Sequence, residues 1–337
     1  MPDEPRSLLG LHRFAVLTAG ATLLLIAAGG LVTSTESGLS VPDWPTTYGR
    51  NMFTFPPSQW VGGILYEHGH RLIASFVGLL TVILAIWLAR REPRRWVVRL
   101  GWAALATVIA QGILGGITVL FLLPIPVSVA HACLAQTFFC LTVVIAVVTS
   151  PGWRGGRVMQ DPPMRRAVTA ALVLILLQLV IGAVMRHTRS GLAIPDFPLS
   201  LGYLVPPLST FPVAIAFAHR IGALLVAIAI LVVVRETFRS RRPGLLRGAF
   251  LLLGLLGIQI TLGALTVLSG KDVAITTAHV ATGALLLGTT LAVGLFSVRA
   301  PALRLIAEAG RGPKRPKRPK RRSSEPAAVA TRGTRWE

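Results

Sequence analysis

Eight stretches of about 20 apolar residues recur along the chain, at 14–32, 65–89, 97–122, 127–149, 167–185, 213–234, 249–268 and 273–298, with polar or Gly/Pro-rich segments between them. As a helix rising about 1.5 Å per residue, each is long enough to cross a hydrocarbon core of ~30 Å. Backbone groups in lipid must bond within their own segment, so the pattern predicts an all-α integral membrane protein with eight transmembrane helices. The first stretch lacks a small-residue cleavage site and runs into a motif that returns later, so it reads as the first span and not as a removed signal peptide.

The polar segments repeat. Glu36-Ser-Gly-Leu-Ser-Val-Pro-Asp-Trp-Pro45 returns 153 residues later as Arg189-Ser-Gly-Leu-Ala-Ile-Pro-Asp-Phe-Pro198. The halves stay in step: Pro56-Pro57 matches Pro206-Pro207, His70-Arg71 matches His219-Arg220, Gln111 matches Gln259, and His131 matches His279. Four spans is an even number, so the second copy enters the membrane in the same orientation as the first. The expected architecture is two tandem four-helix bundles related by a pseudo-twofold axis along the membrane normal. The divisions are an amino-terminal segment (1–12), a first bundle (13–150), a linker (151–166), a second bundle (167–300) and a basic tail (301–337).

Charge adds orientation. A net charge of +21 would point to nucleic acid in a soluble protein, but 53% of this chain is hydrophobic and only 14% charged. All but six of the 34 Lys and Arg fall in the termini and in the segments 90–99, 150–166 and 235–247; the six are Arg50, Arg71, Arg186, Arg189, Arg220 and Lys271. The positive-inside rule then predicts a cell-membrane protein with both termini cytoplasmic. The run Gly312-Pro-Lys-Arg-Pro-Lys-Arg-Pro-Lys-Arg-Arg322 lacks apolar periodicity. It predicts a disordered tail that adheres to anionic lipid, and its juxtamembrane place argues against nucleic acid. The two cysteines, Cys133 and Cys140, lie one above the other in the fourth span, ~10 Å apart and too far for a disulfide.

Candidate chemistry lies in the histidines. His70, His131, His219 and His279 each stand just inside the outward, amino-terminal end of an even-numbered span, two per repeat and at matched depth. Ionisable groups in spans are costly and by default functional. Facing helices of a bundle that each offer an imidazole fit a haem iron, giving two bis-histidine sites, His70 with His131 and His219 with His279. Tetrahedral zinc fits less well, because no further Cys or His stands at ligand spacing. His12, His68 and His187 lack counterparts in the other half and read as ordinary interface residues. Arg71 and Arg220 could pair with haem propionates or snorkel to headgroups. The long outward loops, 33–64 and 186–212, predict rigid lids, either purely structural or capping a cofactor's polar edge. One asymmetry stands out: Glu67, three residues before His70, corresponds to Ala216 before His219. A carboxylate there could shuttle protons or stabilise a developing cation, which makes Glu67 the candidate catalytic residue and the first half the reaction site. An electron-carrying di-haem cytochrome b is the alternative, but all four histidines lie toward one face. A duplicated transporter fits poorly, since Gln111, Gln178 and Gln259 are the few polar residues at mid-span.

The SGL-x-x-PDWP loop, the Glu67-His-Gly-His-Arg71 sequence, His131, and their echo in Ala218-His-Arg220 and Thr277-Ala-His279 together resemble the haem A synthase family over residues 11–300. The resemblance implies a membrane oxidoreductase that oxidises a ring methyl of haem O to the formyl of haem A, the prosthetic group of haem-copper oxidases. It implies a substrate site at Glu67, His70 and His131, and a haem b cofactor held by His219 and His279. The implied partners are haem O, haem O synthase and an electron-transfer protein, and a homo-oligomer is compatible with it. Many bacterial members carry a cysteine pair in an outward loop; both loops here lack one.

Overall fold

A computed structural model describes residues 4–300 together with 333, 336 and 337. The basic tail expected over 301–337 therefore lies outside the described residues, apart from those three isolated positions. Among the described residues, eight helices are long and apolar enough to cross a membrane. The chain is a multi-pass membrane protein. The helices are α1 (Glu4–Ser34), α2 (Gly63–Arg91), α3 (Arg95–Leu120), α4 (Ile125–Thr149), α6 (Pro162–His187), α7 (Phe211–Ser240), α8 (Pro243–Leu268) and α9 (Val273–Ser297), with a single short turn, α5 (Pro151–Arg154), between the halves.

Local chemistry sets the helix ends. Proline occupies the first turn of α4, α6, α7 and α8, where its missing N–H costs nothing. The Asp272 carboxylate caps α9 by accepting from the amides of Ala274 and Ile275, both at 3.0 Å, and Asp161 caps α6 through Met164 N at 3.2 Å. Hydroxyls inside the spans bond back onto their own helix, as Thr22 does to Thr18 O and Thr81 to Val77 O. These two hydroxyls thus find their acceptors without leaving their own helix.

Packing follows the repeat. In the first half α1 packs on α2, α2 on α3, α3 on α4 and α4 back on α1; α6, α7, α8 and α9 close the same ring in the second. In each ring the second and fourth helices are thus diagonal partners facing each other across the bundle. The halves meet through α4 against α9, flanked by α1 on α9 and α6 on α4. These contact pairs are those a tandem duplication would give. Close approach is possible at this seam because Gly288 of α9 faces Phe139 of α4, where an added Cβ would stand 2.9 Å from the ring. Small residues of this kind let helices pack where lipid supplies no hydrophobic drive between them.

The end of the bundle away from the long loops holds an element that hydropathy does not reveal. Arg157–Val158 (β1) pairs antiparallel with Arg299–Ala300 (β2), tying the linker to the end of α9. Glu92 is buried there between Arg94, at 2.7 Å, and Arg154. Burial alone would raise its carboxyl, but the hydrogen bonds and charge of Arg94 and the charge of Arg154 outweigh that and hold it below the usual carboxylate range. Trp153 completes the knot, with the Arg299 guanidinium 4.1 Å above its ring.

Candidate functional site

His70 on α2 and His131 on α4 stand about two turns from their helix starts, on diagonal helices of the first ring. His219 on α7 and His279 on α9 occupy the same places in the second. The two helices of each pair face each other across their ring. Each imidazole also lies flush against a glycine of a neighbouring helix. A Cβ added at Gly29, Gly115, Gly182 or Gly263 would come within 3.1, 3.2, 3.0 and 3.0 Å of Cε1 of His70, His131, His219 and His279 respectively. Any larger residue would push the ring out of place.

Three of the four rings touch a glutamine. Gln111 Nε2 lies 3.3 Å from His131 Nε2 and donates to His131 O at 2.9 Å; Gln259 Nε2 lies 3.4 Å from His279 Nε2. Gln178 Nε2 lies 3.0 Å from His219 Nδ1 and donates to His219 O at 2.7 Å. Each glutamine precedes its glycine by four residues, so one helical face carries both. The Nδ1 atoms of His70, His131 and His279 are buried without a hydrogen-bond partner.

The loops fold as lids from the repeated motif. Asp43 accepts from the amides of Tyr48 and Gly49, both at 2.8 Å, and from the Thr46 hydroxyl. Asp196 accepts from Leu201 and Gly202 at 2.7 and 2.8 Å. In both turns two successive residues have positive φ (Tyr48 and Gly49; Leu201 and Gly202) between bridged pairs, Thr47 with Arg50 and Ser200 with Tyr203. That is the twist of a type I′ hairpin turn. Burial alone would raise the Asp43 carboxyl, but its hydrogen bonds from Thr46, Gly49 and Tyr48 together outweigh that and hold it below its ordinary value. A depressed folded pKa means that the turn is fully tightened above the ordinary carboxylate range and loosens as pH falls through the lower folded value. Asp43→Ala should speed amide exchange at Tyr48 and Gly49 by about 10-fold or more, as expected on losing hydrogen bonds to a charge; hydrogen-exchange mass spectrometry of the loop peptide checks this.

Arg71 and Arg220 fasten these lids. Arg71 donates to the carbonyls of Val41, Asp43 and Thr46 at 2.9, 2.7 and 3.0 Å; Arg220 donates to those of Ile194, Asp196 and Leu199 at 3.0, 2.7 and 2.7 Å. The Nη groups of both guanidiniums, weighed earlier as propionate partners or headgroup anchors, are engaged by loop carbonyls. Val41 and Ile194, the matched plugs of the motif, are fully buried.

The halves then diverge. Glu67 is 3% exposed, its Oε2 accepting from Val41 N at 2.8 Å and its Oε1 from Arg71 at 2.6 Å. Ala216 offers no such group, and Arg220 instead reaches Ser200 Oγ at 3.1 Å. His68 differs from its reading as an interface residue. It is 0% exposed, with Thr47 Oγ1 3.2 Å from its Nδ1 and the rings of Phe55 and Trp60 at 5.2 and 4.8 Å. Phe217 takes its place in the second half. Arg186 crosses between halves, donating to Gly30 O at 2.7 Å and Ser34 Oγ at 2.8 Å of α1. The glycines, the glutamine contacts and this crossing are absent from the sequence reading. The Q-x-x-x-G spacing at Gln111, Gln178 and Gln259 was the signal available for them.

The residues fit a haem in each half. Among the described residues no group of three or more His, Cys, Asp or Glu converges as a metal cage. What the bundle offers is a diagonal pair of imidazoles, in three cases with one ring nitrogen against an amide, and in His131 and His279 with the other buried and unpartnered. Neutral imidazoles on facing helices of a bundle are the donor pair that a haem iron takes.

Comparison with known proteins agrees. The family described as "Cytochrome oxidase assembly protein" matches residues 12–291. A protein named "Heme A synthase" from Symbiobacterium thermophilum is 33% identical over 266 residues, 74% of this chain and 84% of its own length. Proteins of the same name from Halalkalibacterium halodurans (29% identical, 79% of this chain, 90% of the relative) and Rhodopseudomonas palustris (29%, 87% and 92%) align over still more of it. With the match running through all eight spans and both histidine pairs, the chain belongs to the haem A synthase family.

Proposed function

We propose that this protein oxidises a ring methyl of haem O to the formyl group of haem A, with the first ring of helices (13–150) as the substrate site and the second (167–300) as the site of a resident haem b. The observation that carries the assignment is an inequality between the two sites: the histidine pair His70/His131 has Glu67 beside it, and His219/His279 has Ala216. When bound, haem b supplies one-electron redox chemistry, for which the oxidation of a methyl has use. The chain's own residues bind and orient. His70 and His131 would hold the substrate iron, and the lid fastened by Arg71 would exclude water. Glu67 would hold or move a proton at its Oε atoms, at the mouth of the site. His219 and His279 would grip the cofactor beneath the lid fastened by Arg220.

The charge distribution supports a cell-membrane orientation with both termini cytoplasmic and the lids outward. In that orientation the tail faces anionic lipid, and the reaction needs an electron-transfer partner and a source of haem O such as haem O synthase. The test is to express the protein with a haem O source in a host that lacks haem A, extract the haems and separate them by chromatography. Haem A is expected; haem O alone, in cells where the protein carries haem b, would leave an electron-carrying di-haem cytochrome as the better reading.

A further inference from the structure

The repeat contains a coordinated exchange of residues that the reading above does not use. On α6, Gln178 reaches the imidazole of His219; the matching position on α1 is Leu25. One turn along α7 from His219 stands Gly222; one turn along α2 from His70 stands Ile73. The two differences belong together, because a Cβ at position 222 would collide with Oε1 of Gln178. The second half therefore has a long polar residue over a glycine notch. The first has Leu25 and Ile73, both packed against its apolar core. In consequence His70 is the one ring of the four with no amide beside it, and its Nδ1 is buried without a partner.

We propose that Gln178, seated over Gly222, is the positioning residue that makes the second half retain its haem, and that the first half, with Leu25 and Ile73 at the matching positions, leaves His70 able to take up and release a haem. The inference rests on reading the halves as substrate and cofactor sites. A cofactor stays through many turnovers, whereas a substrate must depart as product. Both sites offer two imidazoles over glycines, so ligand number cannot distinguish them. Ring orientation can: Gln178 Nε2 donates to the His219 carbonyl at 2.7 Å and stands 3.0 Å from the ring Nδ1, a contact that restricts rotation about the side chain, and a ring already aligned loses less freedom on ligating. On the first-half side only His131 is held in this way, through Gln111, so one ligand is held by an amide and the other by packing alone.

The test uses the full-length protein purified with its haem, and follows haem loss to excess apomyoglobin in the visible spectrum. Gln178→Met keeps length and packing over Gly222 but removes the amide, so folding is preserved. The pair Gln178→Leu with Gly222→Ile installs the first-half residues together. Both are expected to lose haem about 10- to 100-fold faster, the usual cost of removing a partner that orients a metal-ligating histidine. Both should also shift the largest g value of the low-spin ferric signal, which reports ring orientation and which a merely structural change elsewhere would not move. The reciprocal pair Leu25→Gln with Ile73→Gly should slow haem departure from the first half. Parental loss rates and g values in Gln178→Met would overturn the proposal. His219→Ala separates the two levels: if it keeps its haem, the cofactor-site reading has failed; if it loses haem while Gln178→Met behaves as parent, only the role of Gln178 has.

Discussion

His219→Ala, and equally His279→Ala, is expected to yield a folded protein without its retained haem, the content per chain falling at least about tenfold and haem A formation with it. These imidazoles stand on the diagonal helices of the second ring, each flush against a glycine, Gly182 or Gly263. Folding should survive, because the knot around Glu92 and Trp153 does not involve these residues. Removing the histidine leaves a small void lined by the glycine, and soluble imidazole is expected to enter it and restore part of the low-spin spectrum. His70→Ala is the matched control: haem b content is expected to stay and product to vanish. Haem quantified after purification decides between them. Unchanged content in His219→Ala with loss in His70→Ala would reverse the roles of the halves.

The spans, the duplication and the four histidines were legible because each is a one-dimensional signal: a run of apolar residues, a motif at fixed offset, a rare ionisable residue in a hydrophobic stretch. The eight helices coincide with the apolar runs and mostly extend beyond them, by ten residues at the start of α1, whereas the third and eighth runs overshoot their helices at Leu120 and Ser297. The features that were not legible depend on which atoms meet. Arg71 and Arg220 read equally well as propionate partners or headgroup anchors. That they hold carbonyls of their own loops depends on a turn 21 to 30 residues away in sequence. His68 looked like an interface residue because nothing in the other half matches it, whereas its burial comes from Phe55 and Trp60 folding over it. The glycines under the imidazoles are the plainest omission. In a chain with 33 glycines none stands out, and only the distance from ring to backbone gives Gly29 and its three counterparts a purpose.

Glu67 separates a lid residue from a reacting one, and the duplication supplies a natural control for testing which it is. Breaking a buried ion pair by removing one partner ordinarily costs about 3–5 kcal/mol, and Glu67 and Arg71 are both well buried, with side chains 4% and 10% exposed. The second half nevertheless keeps the same arginine clamp with Ala216 in that place, Arg220 taking Ser200 Oγ in addition to the loop carbonyls. Alanine is thus compatible with this lid, and Glu67→Ala is expected to fold and retain haem b. If Glu67 serves proton transfer or stabilises developing positive charge, haem A formation should fall about 10²- to 10⁴-fold, the range for loss of a positioned acid or base. Glu67→Gln sharpens the result. Its amide oxygen can still accept from Val41 N or from Arg71, so a purely structural role would be restored, while the charge and the titrating proton would be gone. Product analysis in the haem O co-expression host is therefore expected to show both variants inactive and both carrying haem b. Activity in Glu67→Gln close to that of the parent would make Glu67 a fastener of the lid, and the inequality of the two halves would then rest on Gln178 and the residues around His70.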